Sequence, residues 1–174
     1  MNKTSVSRDD ISRLVIIALM VAMEIVLTRF FSFMIIPPFV RIGLGFLPIA
    51  MVAIKFGPLY AGTAAMMADL IGFWLFPPPF PYFPGFTFTA FLAGVVYGIF
   101  LHKKTVNMLN IVIAAAIVTI FIQGILDTIW LVIMFDEGFI GLMPFRLIRT
   151  AIMLPLQIVT IKLVATSAKA AKLI

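Results

Sequence analysis

The stretch WLFPPPFPYFPGFTF, residues 74–88, holds five of the chain's eleven prolines and seven of its twenty-three aromatic residues. Five prolines in that space forbid a regular helix, because each removes a backbone donor and clashes with the preceding turn. On both sides lie apolar runs long enough to enter a bilayer. The stretch therefore reads as an irregular, aromatic-lined outer loop between two membrane spans, the third and the fourth. Non-helical backbone at membrane depth is tolerated only where protein buries it or where it lines a cavity. A stiff aromatic loop in that position is suited to close over a flat, ring-shaped ligand.

The rest of the chain agrees with a bilayer setting. Of 174 residues, 63% are hydrophobic and 11% charged, and the mean hydropathy is +1.20; a soluble domain is about half apolar and a quarter charged. A span takes about 20 residues, so this length holds six spans joined by short connections. The expected class is an all-α membrane protein, a six-helix bundle in which residues 1–174 form a single domain. The helices are expected over residues 11–33, ending at a Pro37-Pro38 turn, then 43–54, 58–76, 87–101, 108–135 and 142–168. The second is short and contains Pro48. The opening MNKTSVSRDDISRL leads into an apolar run with no small-residue cleavage site, so the first hydrophobic segment is expected to be retained as a span.

An even number of spans places both termini on one side. Setting that side in the cytoplasm puts Lys3, Arg8, Arg13, Lys55, Lys103, Lys104, Lys162, Lys169 and Lys172 at the inner face, nine of thirteen cations and all seven lysines. That bias is the positive-inside pattern, and it accounts for the net charge of +6 without a nucleic-acid partner. His102 belongs to the same inner loop. The four outer cations, Arg29, Arg41, Arg146 and Arg149, are all arginines. A guanidinium pairs bidentately with a carboxylate, where an ammonium is a mobile point charge. The outer arginines thus suit either headgroup anchoring or an anionic ligand arriving from outside.

Ionisable side chains inside a span are costly and face a cavity or a partner. Glu24, Asp69 and Asp127 are three such acids. Gln123, Asp127 and Trp130 recur at i, i+4 and i+7, the spacing of one helical face, and together offer an amide, a carboxylate and a large ring to a heterocycle. Asp127 is equally suited to pairing with Arg146 or Arg149. Those two arginines stand i, i+3 after Pro144 and repel unless an anion lies between them; Asp127, Asp136, Glu137 or a ligand carboxylate would serve. Asp69 precedes Gly72 and Trp74 and is placed to accept from a ligand or to cap the loop. Trp74 and Trp130 fit either ligand contact or the interfacial aromatic belt. Ala18 and Ala22 have the small-xxx-small spacing that lets another helix approach closely.

With no cysteine and one histidine, the chain carries no disulfide or thiolate site. It also lacks a GxxxxGK(S/T) phosphate loop, an HExxH zinc motif and a GxSxG nucleophile turn. An enzyme is not expected, nor a metal or cofactor. Energy for uphill transport would come from partner subunits or an ion gradient.

The run RIGLGFLPIAMVAIKFGPLYAGTAAMMADLIGFWLFP, residues 41–77, with FPGFTFTAFLAGVVYGI after it and RLIRTAIMLPLQ at residues 146–157, resembles the substrate-binding S-components of bacterial energy-coupling factor vitamin transporters, and most of all their folate-specific branch. The resemblance implies a multi-pass protein of the bacterial cell membrane with an outward-facing vitamin cavity. That cavity would be formed by helices four to six and the loops after the first and third. It further implies a transmembrane scaffold subunit and two ATPase subunits as partners, an AxxxA docking motif matched by Ala18 and Ala22, and tipping of the loaded component in the membrane. Folate would then place its pterin edge on Asp127 and Gln123 and its rings against Trp74, Phe80, Tyr82, Phe83 or Trp130. Arg29 or Arg41 would hold the glutamate tail, with Arg146 and Arg149 deeper. Competing readings are an S-component for riboflavin, thiamine or biotin, a small ion-coupled transporter using Glu24, Asp69 or Asp127 as proton carriers, and a structural membrane subunit. Riboflavin and thiamine supply no carboxylate for the arginines, and biotin supplies one carboxylate and no extended ring.

Overall fold

In the computed structural model, residues 8–36, 40–78, 80–102, 107–135 and 138–170 are described. Pro37 and Pro38, the cations Lys3, Lys103, Lys104 and Lys172, and the acids Asp136 and Glu137 lie outside these residues, as does Pro79 of the aromatic loop. Helix α1 (Arg8–Arg29) opens with Asp9 and Asp10 and closes with Arg29, charges that complement the helix dipole at each end. The Ser32 hydroxyl donates to the Thr28 carbonyl at 2.5 Å, satisfying one acceptor that the helix end leaves open. The helix stops earlier than the apolar pattern suggests. Phe33, expected inside it, begins β1 (Phe33–Ile36), which pairs antiparallel with β2 (Val40–Ile42) in register Phe33↔Ile42 and Met34↔Arg41. A residue before proline is driven out of the α region, so Ile36 extends rather than continuing a helix.

Helix α2 (Phe46–Phe56) has 11 residues, about 16 Å at 1.5 Å per residue and too short to cross a bilayer core of about 30 Å. Pro48 sits in its first turn, where amide donors have no partner in any case. The helix ends at Gly57, whose φ of +93° suits only glycine. Pro58 then starts α3 (Pro58–Leu75). His102, at the end of α4 (Pro84–Leu101), places Nδ1 3.1 Å from the Ile54 carbonyl and closes this corner. Its role is structural.

Among the described residues, helices α3 and α4 make the most extensive pairing. Small residues allow it: a Cβ at Gly94 would lie 2.4 Å from the Ala61 carbonyl oxygen, and one at Gly98 would lie 2.2 Å from the Pro58 backbone. Backbones in membranes approach this closely only along such glycine and alanine stripes. Around the pair, Ile25, Ile49, Val52, Tyr97, Leu101, Ile111, Val118 and Ile161 form the buried core.

The expected fifth helix is continuous from Met108 to Phe135 but not uniformly α. It comprises α5 (Met108–Ala116), a π-helical stretch (Ile117–Leu126) and α6 (Asp127–Phe135). The π segment, IVTIFIQGIL, is rich in β-branched residues and holds Gly124, so α-propensity is low there. Thr119 donates from it at 2.8 Å to Gln157 Oε1, which also accepts from the Tyr97 hydroxyl at 2.9 Å. That buried knot ties the stretch to α4 and to the last helix, α7 (Phe139–Ala170), which runs through both Pro144 and Pro155. The six expected helices are thus present. Among the described residues four are long and apolar enough to cross a bilayer: Arg8–Arg29, Pro84–Leu101, Met108–Phe135 and Phe139–Ser167.

Candidate functional site

One end of the bundle opens into a cavity of about 300 Å³. The C-terminal turn of α1, strand β2, the second half of α3, the aromatic loop, the first half of α4, the π segment with α6, and the start of α7 all contribute to its wall. Pro77, Pro78 and Pro81 hold the described part of the loop off helical geometry, whereas Pro84, expected within the irregular stretch, sets the first turn of α4, where its missing donor costs nothing.

The outer arginines converge here. Arg29, Arg41, Arg146 and Arg149 all line the cavity. Arg29 lies across α3 at Gly72, where a Cβ would be 3.4 Å from the guanidinium. Arg149 donates from Nε to the Arg41 carbonyl at 3.2 Å, fixing α7 to the hairpin. Arg41, on the hairpin outside the spans, is pushed below its ordinary pKa by burial and then by the charges of Arg29 and Arg149. Three guanidiniums in such proximity favour an anion between them.

The acids and the amide face the same space. Asp69, Gln123 and Asp127 line the cavity with Phe80, Tyr82 and Phe83 of the loop. The Thr87 hydroxyl donates to Asp69 Oδ2 at 2.6 Å and lies 2.9 Å from the Tyr82 hydroxyl. Edge-on ring contacts brace the loop: Phe73 against Tyr82 at 5.2 Å, Phe80 against Phe135 at 6.3 Å, and Phe83 against Phe86 at 6.0 Å. Gln123 Oε1, Asp127 Oδ1, Trp130 Nε1 and Arg146 Nε are buried without a hydrogen-bond partner among the described residues. A buried polar atom left so costs about 1–3 kcal/mol. Three of the four residues, Gln123, Asp127 and Arg146, line the cavity.

Both tryptophans fall outside the wall. Trp74 is 74% exposed and stands edge-on to Phe73 at 6.2 Å. Counting from Asp69, the cavity-facing position one turn on is Phe73; Trp74 is a further 100° around the helix. Trp130 packs behind the wall, tilted on Phe83 at 5.6 Å. A Cβ on Gly85 would meet its ring at 2.6 Å, so glycine there makes room for the indole. Phe73 and Thr28 line the cavity without having stood out in the sequence; Phe73 was signalled by its i+4 spacing from Asp69. A second chamber of about 190 Å³ adjoins the first, sharing Thr28, Arg41, Asp69, Gln123 and Arg149 and adding Glu24 and Tyr97. Glu24 accepts there from Thr28 at 2.8 Å. Ala18 and Ala22 are exposed on α1, away from the cavity.

The profile of the family described as "ECF transporter, substrate-specific component" matches residues 12–166. The chain is 40% identical to "Folate transporter FolT" of Clostridium novyi over 148 residues, 85% of this chain and 84% of that one. It is 28% identical to "Folate transporter FolT" of Leuconostoc mesenteroides over 156 residues, 86% of this chain and 82% of that one. Among solved structures, FolT crystallised with folic acid superposes with a TM-score of 0.83 at 33% identity, covering 88% of this chain and 92% of that one. The S component of a bacterial ECF transporter superposes with a TM-score of 0.63 at 25% identity, covering 91% and 98%.

Proposed function

The chain belongs to the substrate-specific components of ECF transporters, and from that premise we propose how it takes up its ligand. It is a multi-pass membrane protein and the folate-specific S-component of an ECF importer; a transmembrane scaffold and two ATPase subunits supply the work of transport. The chain itself is read as a receptor and not an enzyme, acting as one unit over residues 1–174. With both termini in the cytoplasm, the cavity opens outward.

Folate has a flat pterin, a benzoate linker and a glutamate tail with two carboxylates. In this reading Asp127 and Gln123 hydrogen-bond the pterin edge, and Phe80, Tyr82 and Phe83 pack on the rings. Arg29 or Arg41 holds the tail, while Arg146 and Arg149 stand deeper. Trp130 acts through Phe83, and Trp74 serves the interfacial belt. Ala18 and Ala22 present α1 to the scaffold. The observation that carries the reading is the convergence of four arginines and two acids on one aromatic-walled cavity, with unpartnered polar atoms on its lining residues Gln123, Asp127 and Arg146. A cationic or carboxylate-free vitamin leaves those guanidiniums uncompensated.

The test is to purify the chain from rich medium and record its absorbance spectrum. A co-purified pterin chromophore, displaced by added folate, supports the assignment. A flavin spectrum, or uptake that persists without ATPase partners and tracks a pH gradient, would replace it.

A further inference from the structure

We propose that Thr87 is a positioning residue, holding Asp69 and Tyr82 as a corner of the cavity that offers a ligand acceptors and no donor. The inference rests on the folate reading for the ligand and on hydrogen-bond geometry for the corner. Thr87 is buried at the start of α4 and does not line the cavity. Its hydroxyl lies between two groups that do. It donates to Asp69 Oδ2 at 2.6 Å and stands 2.9 Å from the Tyr82 oxygen. A threonine hydroxyl has one proton. Since that proton goes to the carboxylate, Tyr82 must be the donor in the second bond.

Two consequences follow from this direction. The Tyr82 proton is withheld from the cavity, so its oxygen faces a ligand as an acceptor, beside a carboxylate that also accepts. The corner therefore receives ligand N–H groups and disfavours a ligand carboxylate. The same bonds fix both side chains, joining the aromatic loop to α3 through α4. Edge-on contact between Phe73 and Tyr82 at 5.2 Å holds the tyrosine from its other side. A valine at position 87 fills nearly the same volume and removes only the bonds.

The experiment measures folate affinity and dissociation rate for Thr87→Val, Thr87→Ser, Tyr82→Phe and the Tyr82→Phe/Thr87→Val double variant, each beside its ligand-free melting midpoint. Thr87→Val is expected to weaken folate binding about tenfold, the scale of one lost charge-assisted hydrogen bond, mainly through faster release. Thr87→Ser restores affinity to within about threefold. The double variant binds no more weakly than Thr87→Val, because both changes break one chain of bonds. Affinity unchanged in Thr87→Val, serine no better than valine, or additive losses would each overturn the proposal. If the parent does not bind folate, the assigned ligand is wrong, and the melting midpoints still decide the corner: coupled shifts support it and additive shifts overturn it.

Discussion

Asp127, at the junction of the π segment and α6, has a carboxylate oxygen with no hydrogen-bond partner among the described residues. In the proposed reading that oxygen accepts from the ligand. Asp127→Ala is expected to weaken folate binding by about 1.5–3 kcal/mol, the range for a lost charged hydrogen bond, in titration calorimetry on detergent-purified protein. Trp74→Ala, assayed in parallel, is expected to leave affinity within about twofold of the parent, because the ring is exposed and off the wall. A reversal of the two results would move the site to the lipid-facing side of α3. Much of this was readable from residue type alone: an acid, an amide and four arginines in an apolar chain are too costly to stand in lipid. The exact ring facing the cavity was not, since Phe73 and Trp74 are adjacent aromatics and only the helical phase separates them. Thr87 gave no signal, because a hydroxyl in a span ordinarily bonds its own helix, and its partners here lie 18 and five residues away.

Helices α3 and α4 set the geometry of that wall, since Asp69 and Phe73 come from one and Phe86 and Thr89 from the other. Their closeness depends on glycine. Gly94→Leu forces a side chain onto the Ala61 backbone and is expected to destabilise the protein by about 1–3 kcal/mol, read as a lower thermal midpoint in detergent, with folate binding weakened because Asp69 moves. An unchanged midpoint would mean the two backbones are not in contact. Long helices were legible because prolines and glycines punctuate apolar runs. The hairpin was not: strands of four and three residues are too short to show a two-residue alternation. Nor was the π segment, since widening a turn changes the phase of a helix without changing the hydrophobicity that reveals it. The segment carries Gln123 of the cavity wall, in keeping with the frequent occurrence of π turns at functional sites.

At the scale of the whole molecule, the proposed function gives α1 two tasks. Thr28 and Arg29 stand at the cavity, while Ala18 and Ala22 face outward. Ala22→Leu is therefore expected to abolish folate uptake in cells that carry the scaffold and ATPases, while folate affinity of the isolated chain stays within about twofold. Loss of both would place this face inside the binding unit, and loss of neither would remove it from docking. Away from the cavity the flanks present Leu14, Val15 and Leu19 on α1, Leu109, Phe121 and Ile133 on the fifth helix, and Ile148, Val159 and Leu163 on α7. Hydrocarbon wets such a surface on every side of the bundle. For a bundle sheathed in this way, the cost of tilting falls on its two charged ends.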